Sequence, residues 1–240
     1  MDSSIRNSLL ENHLLAALPQ AELERLAPYF IEVSLSLGQI LHEPQEKIET
    51  VYFPTHSMIS LVSIMEDGST VEVGIVGNDG MLGYPVYLGG DYSHTRAIVQ
   101  IEGTALQLDA GVLKCEFNQG NFLQRLLLLY TQAFLAQVSQ TAACNRFHPA
   151  EERLARWLLQ SQDFAGSEKL NLTQEFLSSM LGIRRASVTV SAGTLQQAGM
   201  IRYNRGKITI LDRAALEATT CECYQIVRRE YNRLLGLLTV

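Results

Sequence analysis

The 240-residue sequence is poor in cysteine (four), proline (six) and tryptophan (one), and only 18% of its residues are charged. Cys115, Cys144, Cys221 and Cys223 follow no disulfide-framework spacing. That excludes a small cystine-stapled scaffold and points to a reduced, cytoplasmic protein. Cys221-Glu222-Cys223 has one intervening residue where zinc and redox pairs usually have two, and Cys144 and His148 supply only two candidate ligands. Both pairs read as packing, so no metal site is expected. A haem held by one axial histidine among His13, His42, His56, His94 and His148 would leave no spacing signature, so the cofactor stays unassigned. A basic start followed by an apolar stretch and a cleavage site is missing, and no signal peptide is expected.

Catalytic signatures are missing too. The glycines of Gly77-Asn78-Asp79-Gly80 lack the Lys-Ser/Thr of a phosphate loop, and no serine sits in a nucleophile elbow. The sequence predicts no enzyme. Between Arg125 and Arg146 lie twenty uncharged residues, but Thr131, Gln132, Gln137, Ser139 and Gln140 recur too often for a lipid-facing helix. No membrane partner is expected.

What is present divides by charge. Residues 1–120 hold 5 Lys/Arg against 16 Asp/Glu, a balance of −11. Residues 171–213 hold 6 against 2, a balance of +4. A basic module on an acidic carrier suits a polyanionic partner.

The periodicity divides the chain in the same way. Residues 1–30 read as two short helices separated near Pro19, with apolar positions at three- and four-residue spacing. From Glu32 onward the runs EVSLSL, TVYFPT, MISLVSIM, STVEVGIV, RAIVQIEG and TALQLD alternate, with turn signals at 66–69, 77–80 and 88–91. This predicts an antiparallel β-roll or jelly roll over residues 1–120. Residues 121–147 form one long helix. Leu123, Leu127, Tyr130, Phe134 and Val138 make a coiled-coil-like seam expected to pair with a second copy, while Leu126, Leu129 and Leu135 face the roll. His148-Pro149 ends this helix and starts another, whose apolar stripe is Leu154, Trp157 and Leu158. A polar loop, AGSEKLN, follows.

Residues 148–240 contain LTQEFLSSMLGIRRASVTVSAGTLQQAGMIRY. Thr173 caps one helix, Gly182 breaks it, and a second helix starts near Arg184 with two cations and then a nearly bare surface. This is the layout of a helix-turn-helix whose second helix enters the major groove. Arg184, Arg185, Ser187 and Thr189 are the candidate DNA contacts on that helix. The hairpin after it carries Arg205 and Lys207 at a basic tip, a wing over the adjacent backbone.

These features, with their order along the chain, resemble the CRP/FNR transcription regulators: a cyclic-nucleotide-binding-like roll, a dimerisation helix and a winged helix-turn-helix, an α+β architecture. The resemblance implies a homodimer on double-stranded DNA, with RNA polymerase a candidate further partner. It places Arg185 where the family's guanine-reading arginine lies and Ser187 where a hydroxyl contacts phosphate. Ala186 and Val190 depart from frequent base-reading residues, implying a different operator. It also places Tyr84 where nucleotide-binding members have a glutamate for the ribose hydroxyl. Arg96, near the place of the phosphate arginine, is expected in an ion pair instead, so cyclic-nucleotide binding is not expected. The N-terminal cysteine cluster of iron–sulfur members has no counterpart. Two rivals follow: a cyclic-nucleotide-responsive regulator on the same scaffold, and a protein-interaction roll without specific DNA binding.

Overall fold

The computed structural model describes residues 3–236. Helices α1 (Ser3–Glu11), α2 (His13–Ala16) and α3 (Gln20–Leu26) open the chain. The first expected helix is split in two by Asn12. Its side chain accepts from Leu15 N at 3.1 Å and donates to the carbonyls of Pro54 and Gly80 at 2.8 and 3.0 Å. A buried Asn satisfied in this way anchors the N-terminal helices to the roll.

Seven strands build the roll: β1 (Ile31–Leu35), β2 (Ile40–His42), β3 (Thr50–Pro54), β4 (Met58–Ile64), β5 (Thr70–Val76), β6 (Arg96–Ile101) and β7 (Gly103–Asp109). They form two antiparallel sheets, β1-β7-β3 and β2-β6-β4-β5, as the alternating pattern predicts. Asp109 ends β7 and caps α4 (Ala110–Phe117), accepting from Val112 N at 3.0 Å.

The long helix α5 (Phe122–Phe147) follows. It has two apolar faces, and the expected seam lies on the inner one. Leu123, Leu127, Tyr130 and Phe134 are 0–3% exposed within a single chain, and Val138 is half-buried against the same core. Tyr130 donates to Met81 O at 2.9 Å, and the Phe134 ring lies over Gly74, where a Cβ would come within 2.7 Å. The five expected seam residues therefore pack inward on the roll. Leu126 and Leu129 face the roll as expected, but Leu135 does not: Leu135 and Leu128 are 58% and 48% exposed. Heptad spacing identified an apolar stripe without identifying its neighbour.

The C-terminal segment comprises α6 (Ala150–Ala165), β8 (Lys169–Asn171), α7 (Gln174–Leu181), α8 (Arg185–Gln197), β9 (Ile201–Asn204), β10 (Lys207–Ile210), α9 (Arg213–Thr219) and α10 (Cys223–Leu235). The expected polar loop contributes β8, which makes the hairpin a three-stranded sheet, β8-β10-β9. Leu154, Trp157 and Leu158 are fully buried, and the core they enter also takes in Met58, Val62 and Ile75 of the roll. From the far end of the chain, Val227, Tyr231 and Leu235 of α10 join the other core, between the roll and α5. Each such large apolar side chain contributes roughly 1.5–3 kcal/mol on burial. The C-terminal segment is thus fastened to the roll at α6 and at α10.

Candidate nucleic-acid interface

Thr173 caps α7 by accepting from Phe176 N at 3.2 Å. Gly182, at φ +60°, ends that helix in the left-handed conformation that spares glycine the steric cost of a Cβ. The turn delivers the chain to α8. Its N-cap is Arg184, in extended backbone and without a side-chain cap. A Ser or Asp there would occupy the first amides of the helix. Arginine leaves the positive end of the helix dipole open and adds a cation beside it, an arrangement suited to an anion.

Val188, Ser191, Ala192 and Leu195 bury one face of α8 against α6 and α7. The opposite face presents Arg184, Arg185, Ala186, Thr189 and Val190 to solvent, with Ser187 half-buried at the edge. Gln174, the first residue of α7, crosses the start of this face. Its Oε1 accepts from Thr189 Oγ1 at 3.2 Å and lies 3.5 Å from Arg185 Nε. It holds two of the expected contact residues in register. Sequence reasoning missed Gln174, because the crossing of α7 and α8 makes the pairing and no spacing encodes it.

The hairpin turns at Arg205 and Gly206, with φ of +47° and +79°. Positive φ at both central residues is the type I′ geometry, where Asn-Gly is the favoured pair. Arginine in the left-handed region is unusual, and its side chain is left exposed at the tip. Leu172 N donates to Gly206 O at 2.7 Å, which seats this tip beside the start of α7. Lys207 opens β10 next to it. Among the described residues, none of Arg184, Arg185, Arg202, Arg205 and Lys207 makes an ion pair. Arg213, counted with them in the basic segment, is committed elsewhere: its guanidinium donates to Asp163 at 2.7 Å and also reaches Gln162 and Tyr224.

In the roll, Tyr84 packs against Phe134 with ring centroids 5.3 Å apart, and Arg96 Nε donates to Glu43 at 2.9 Å. The expected ion pair of Arg96 is present. The chain also brings Cys144, His148, Cys221 and Cys223 together, although the sequence treats them as separate packing residues. No helix among the described residues is long and apolar enough to cross a membrane.

Residues 152–219 match the family model of the Crp-like helix-turn-helix domain. No curated protein matches the sequence. Among solved structures, FixK2 from Bradyrhizobium japonicum superposes with a TM-score of 0.68 at 17% identity, over 80% of this chain and 98% of its own. TTHB099, a CRP-family transcriptional regulator from Thermus thermophilus, gives 0.65 at 19% identity over 78% and 95%. TTHA1359, a CRP/FNR-family regulator from the same organism, gives 0.62 at 21% over 79% and 97%. The chain therefore carries, over residues 152–219, a domain of the Crp-like helix-turn-helix family on the fold shared by the CRP/FNR transcription regulators.

Proposed function

We propose that this protein is a transcription regulator that binds specific DNA sequences as a homodimer. The observation that carries this reading is the open N-terminus of α8, with Arg184 and Arg185 exposed and in no ion pair among the described residues, beside the basic tip of the wing. Arg185, held at Gln174, reads a base edge, in the manner of an arginine donating two hydrogen bonds to guanine. Arg184, Ser187 and Thr189 support the helix start, and Arg205 and Lys207 meet phosphate.

The dimer surface is the outer face of α5. Arg125, Leu128, Gln132, Leu135, Ser139 and Ala142 follow one another at alternating spacings of three and four and are exposed. That stripe is a heptad seam with leucines at its middle. Pairing through it sets two copies of α8 at a fixed separation, which half-sites one helical turn apart (about 34 Å) must match. A signal acting on the roll or on α5 then shifts the population of DNA-competent placements.

The test is a salt titration of binding to a selected operator and to random DNA. A steep salt slope on both, with much tighter operator binding, supports the reading. Binding that is equally weak on both favours a protein-interaction role instead.

A further inference from the structure

Four side chains from distant parts of the sequence meet at the junction of α5 and α10. Cys144 sits in the last turn of α5, and His148 is the residue that ends it. Cys221 and Cys223 flank the start of α10. Their ligand atoms, one per residue, all lie within 4.8 Å of one another. Cys144 Sγ is 3.6 Å from Cys221 Sγ, and Cys223 Sγ is 3.4 Å from His148 Nδ1.

The 3.6 and 3.4 Å separations fit two edges of a small tetrahedron, and the remaining pairs lie within the 4.8 Å bound. With metal–sulfur bonds of about 2.3 Å and a metal–nitrogen bond of about 2.0–2.1 Å, tetrahedral ligands stand roughly 3.5–3.8 Å apart. A cluster that spreads its cysteines over separate irons needs wider spacing than four atoms mutually within 4.8 Å allow. A disulfide would use two of the thiols at about 2.05 Å and leave the third thiol and the imidazole without a role.

We propose that Cys144, Cys221, Cys223 and the Nδ1 of His148 bind a single zinc ion, which clasps the end of α5 to the start of α10. Three thiolates and one imidazole in a closed tetrahedral set suit zinc above the harder divalent ions. Binding releases the three thiol protons to solvent and leaves a site of net charge −1.

The surroundings fit that charge and that orientation. His148 Nε2 lies 3.2 Å from Glu222 Oε2, so the carboxylate between the two cysteines accepts the second ring N–H and turns Nδ1 inward. A carboxylate behind a ligating histidine is a recurrent support of zinc sites. Gln140 Nε2 donates to Cys223 Sγ at 3.1 Å. Cys144, Cys221 and Cys223 are 0–5% exposed, so the set is closed to solvent on its sulfur side. Arg153 and Arg156, 6% and 4% exposed, make no ion pair among the described residues, and the Nε of each has no hydrogen-bond partner. Arg156 also faces the buried Glu72. Arg153 faces Cys144 and Cys221, and Arg156 faces Cys144, so two buried cations favour an anionic complex at this position.

The site lies at the hinge into α6. His148 and Pro149 link α5 to α6, so an ion held by His148 and α10 fixes the direction in which the helix-turn-helix leaves α5. This proposal concerns the free protein and does not depend on DNA binding.

The experiment is elemental analysis of the full-length protein purified under reducing conditions, followed by removal of the metal and titration with Co²⁺. The expected result is one zinc per chain, with a Co²⁺ complex showing thiolate charge-transfer and intense tetrahedral ligand-field bands. Cys223→Ser and His148→Asn should abolish stoichiometric binding, and Cys115→Ser, at an exposed thiol, should retain it. Glu222→Gln should weaken affinity about 10–100-fold. The proposal is overturned if the protein holds no zinc and its reduced thiols give no tetrahedral Co²⁺ spectrum. It is equally overturned by stoichiometric iron with a cluster chromophore, by a Cys144–Cys221 disulfide in the reduced preparation, or by Cys223→Ser retaining full zinc. Should the cysteine variants fail to fold, the Co²⁺ titration of the wild-type chain decides.

Discussion

Trp157 Nε1 donates to Glu72 Oε1 at 3.0 Å, a bond that runs from α6 to strand β5 of the roll. Ser60 Oγ donates to the other carboxylate oxygen. Glu72 is 3% exposed, and burial pushes its carboxyl up to about 7, against hydrogen bonds from Ser60 and Trp157 and the nearby charge of Arg156. The contact between the roll and the helix-turn-helix segment is therefore built around a carboxyl that prefers to be neutral.

That preference sets a direction. Between its ordinary value of 4.5 and about 7, Glu72 carries a proton in the folded chain and none in the unfolded one. Folded stability then declines as pH rises through this window. Glu72→Gln keeps an acceptor for Trp157 and removes the charge. It should stabilise the protein by about 1–3 kcal/mol at pH 8 and have little effect at pH 5. Thermal unfolding at the two pH values checks this; an equal shift at both would show that the carboxyl does not titrate in the window.

Base reading and backbone anchoring separate in one set of titrations. Arg185→Ala should lose about 1–3 kcal/mol on the operator and discriminate less at one base pair. Lys207→Ala should weaken binding to every sequence and reduce the salt slope by roughly 0.9. Gln174→Ala, which frees Arg185 and Thr189, should reproduce part of the Arg185 effect. If Arg185→Ala lowers affinity equally on operator, altered operator and random DNA, Arg185 is a phosphate anchor.

At the wing tip, folding and binding should move in opposite directions. Arg205 adopts φ +47°, which Asn tolerates better. Arg205→Asn should leave stability unchanged or raise it by up to about 1 kcal/mol, while affinity for all DNA falls. A variant that binds as tightly as wild type would remove Arg205 from the interface.

The two faces of α5 should also respond differently. Leu128→Glu with Leu135→Glu should give a folded monomer with no operator binding, as read by sedimentation and circular dichroism. Phe134→Ala should instead open a cavity over Gly74 and cost about 3–5 kcal/mol of stability, with the oligomeric state unchanged. A wild-type chain that is monomeric at micromolar concentration would remove the outer face of α5 as a dimer surface.

Calorimetry with cyclic AMP and cyclic GMP is expected to show no low-micromolar site. The Tyr84 ring is packed on Phe134 and cannot supply a carboxylate, and Arg96 is held by Glu43. Saturable tight binding would return the nucleotide-responsive reading to first place.

Local chemistry determined much of this protein. Period-two runs broken by glycine turns gave the roll, a 26-residue stretch without Pro or Gly gave α5, and Thr173, Gly182 and the Arg205-Gly206 tip gave the helix-turn-helix and wing. In each of these the decisive interaction lies within a few residues of the chain, as a cap, a turn or a period. The tertiary structure decided what depends on which element lies across from which. It turned Phe134 inward and Leu135 outward, because a helix with two apolar faces does not encode which face meets the roll. It withdrew Arg213 from the basic surface into a bond with Asp163, and it set Gln174 beside Arg185 and Thr189. It also joined Cys144 and His148 to Cys221 and Cys223, two pairs that spacing rules reject separately, because metal-ligand geometry is a matter of distance in space and α10 folds back along α5 to supply it.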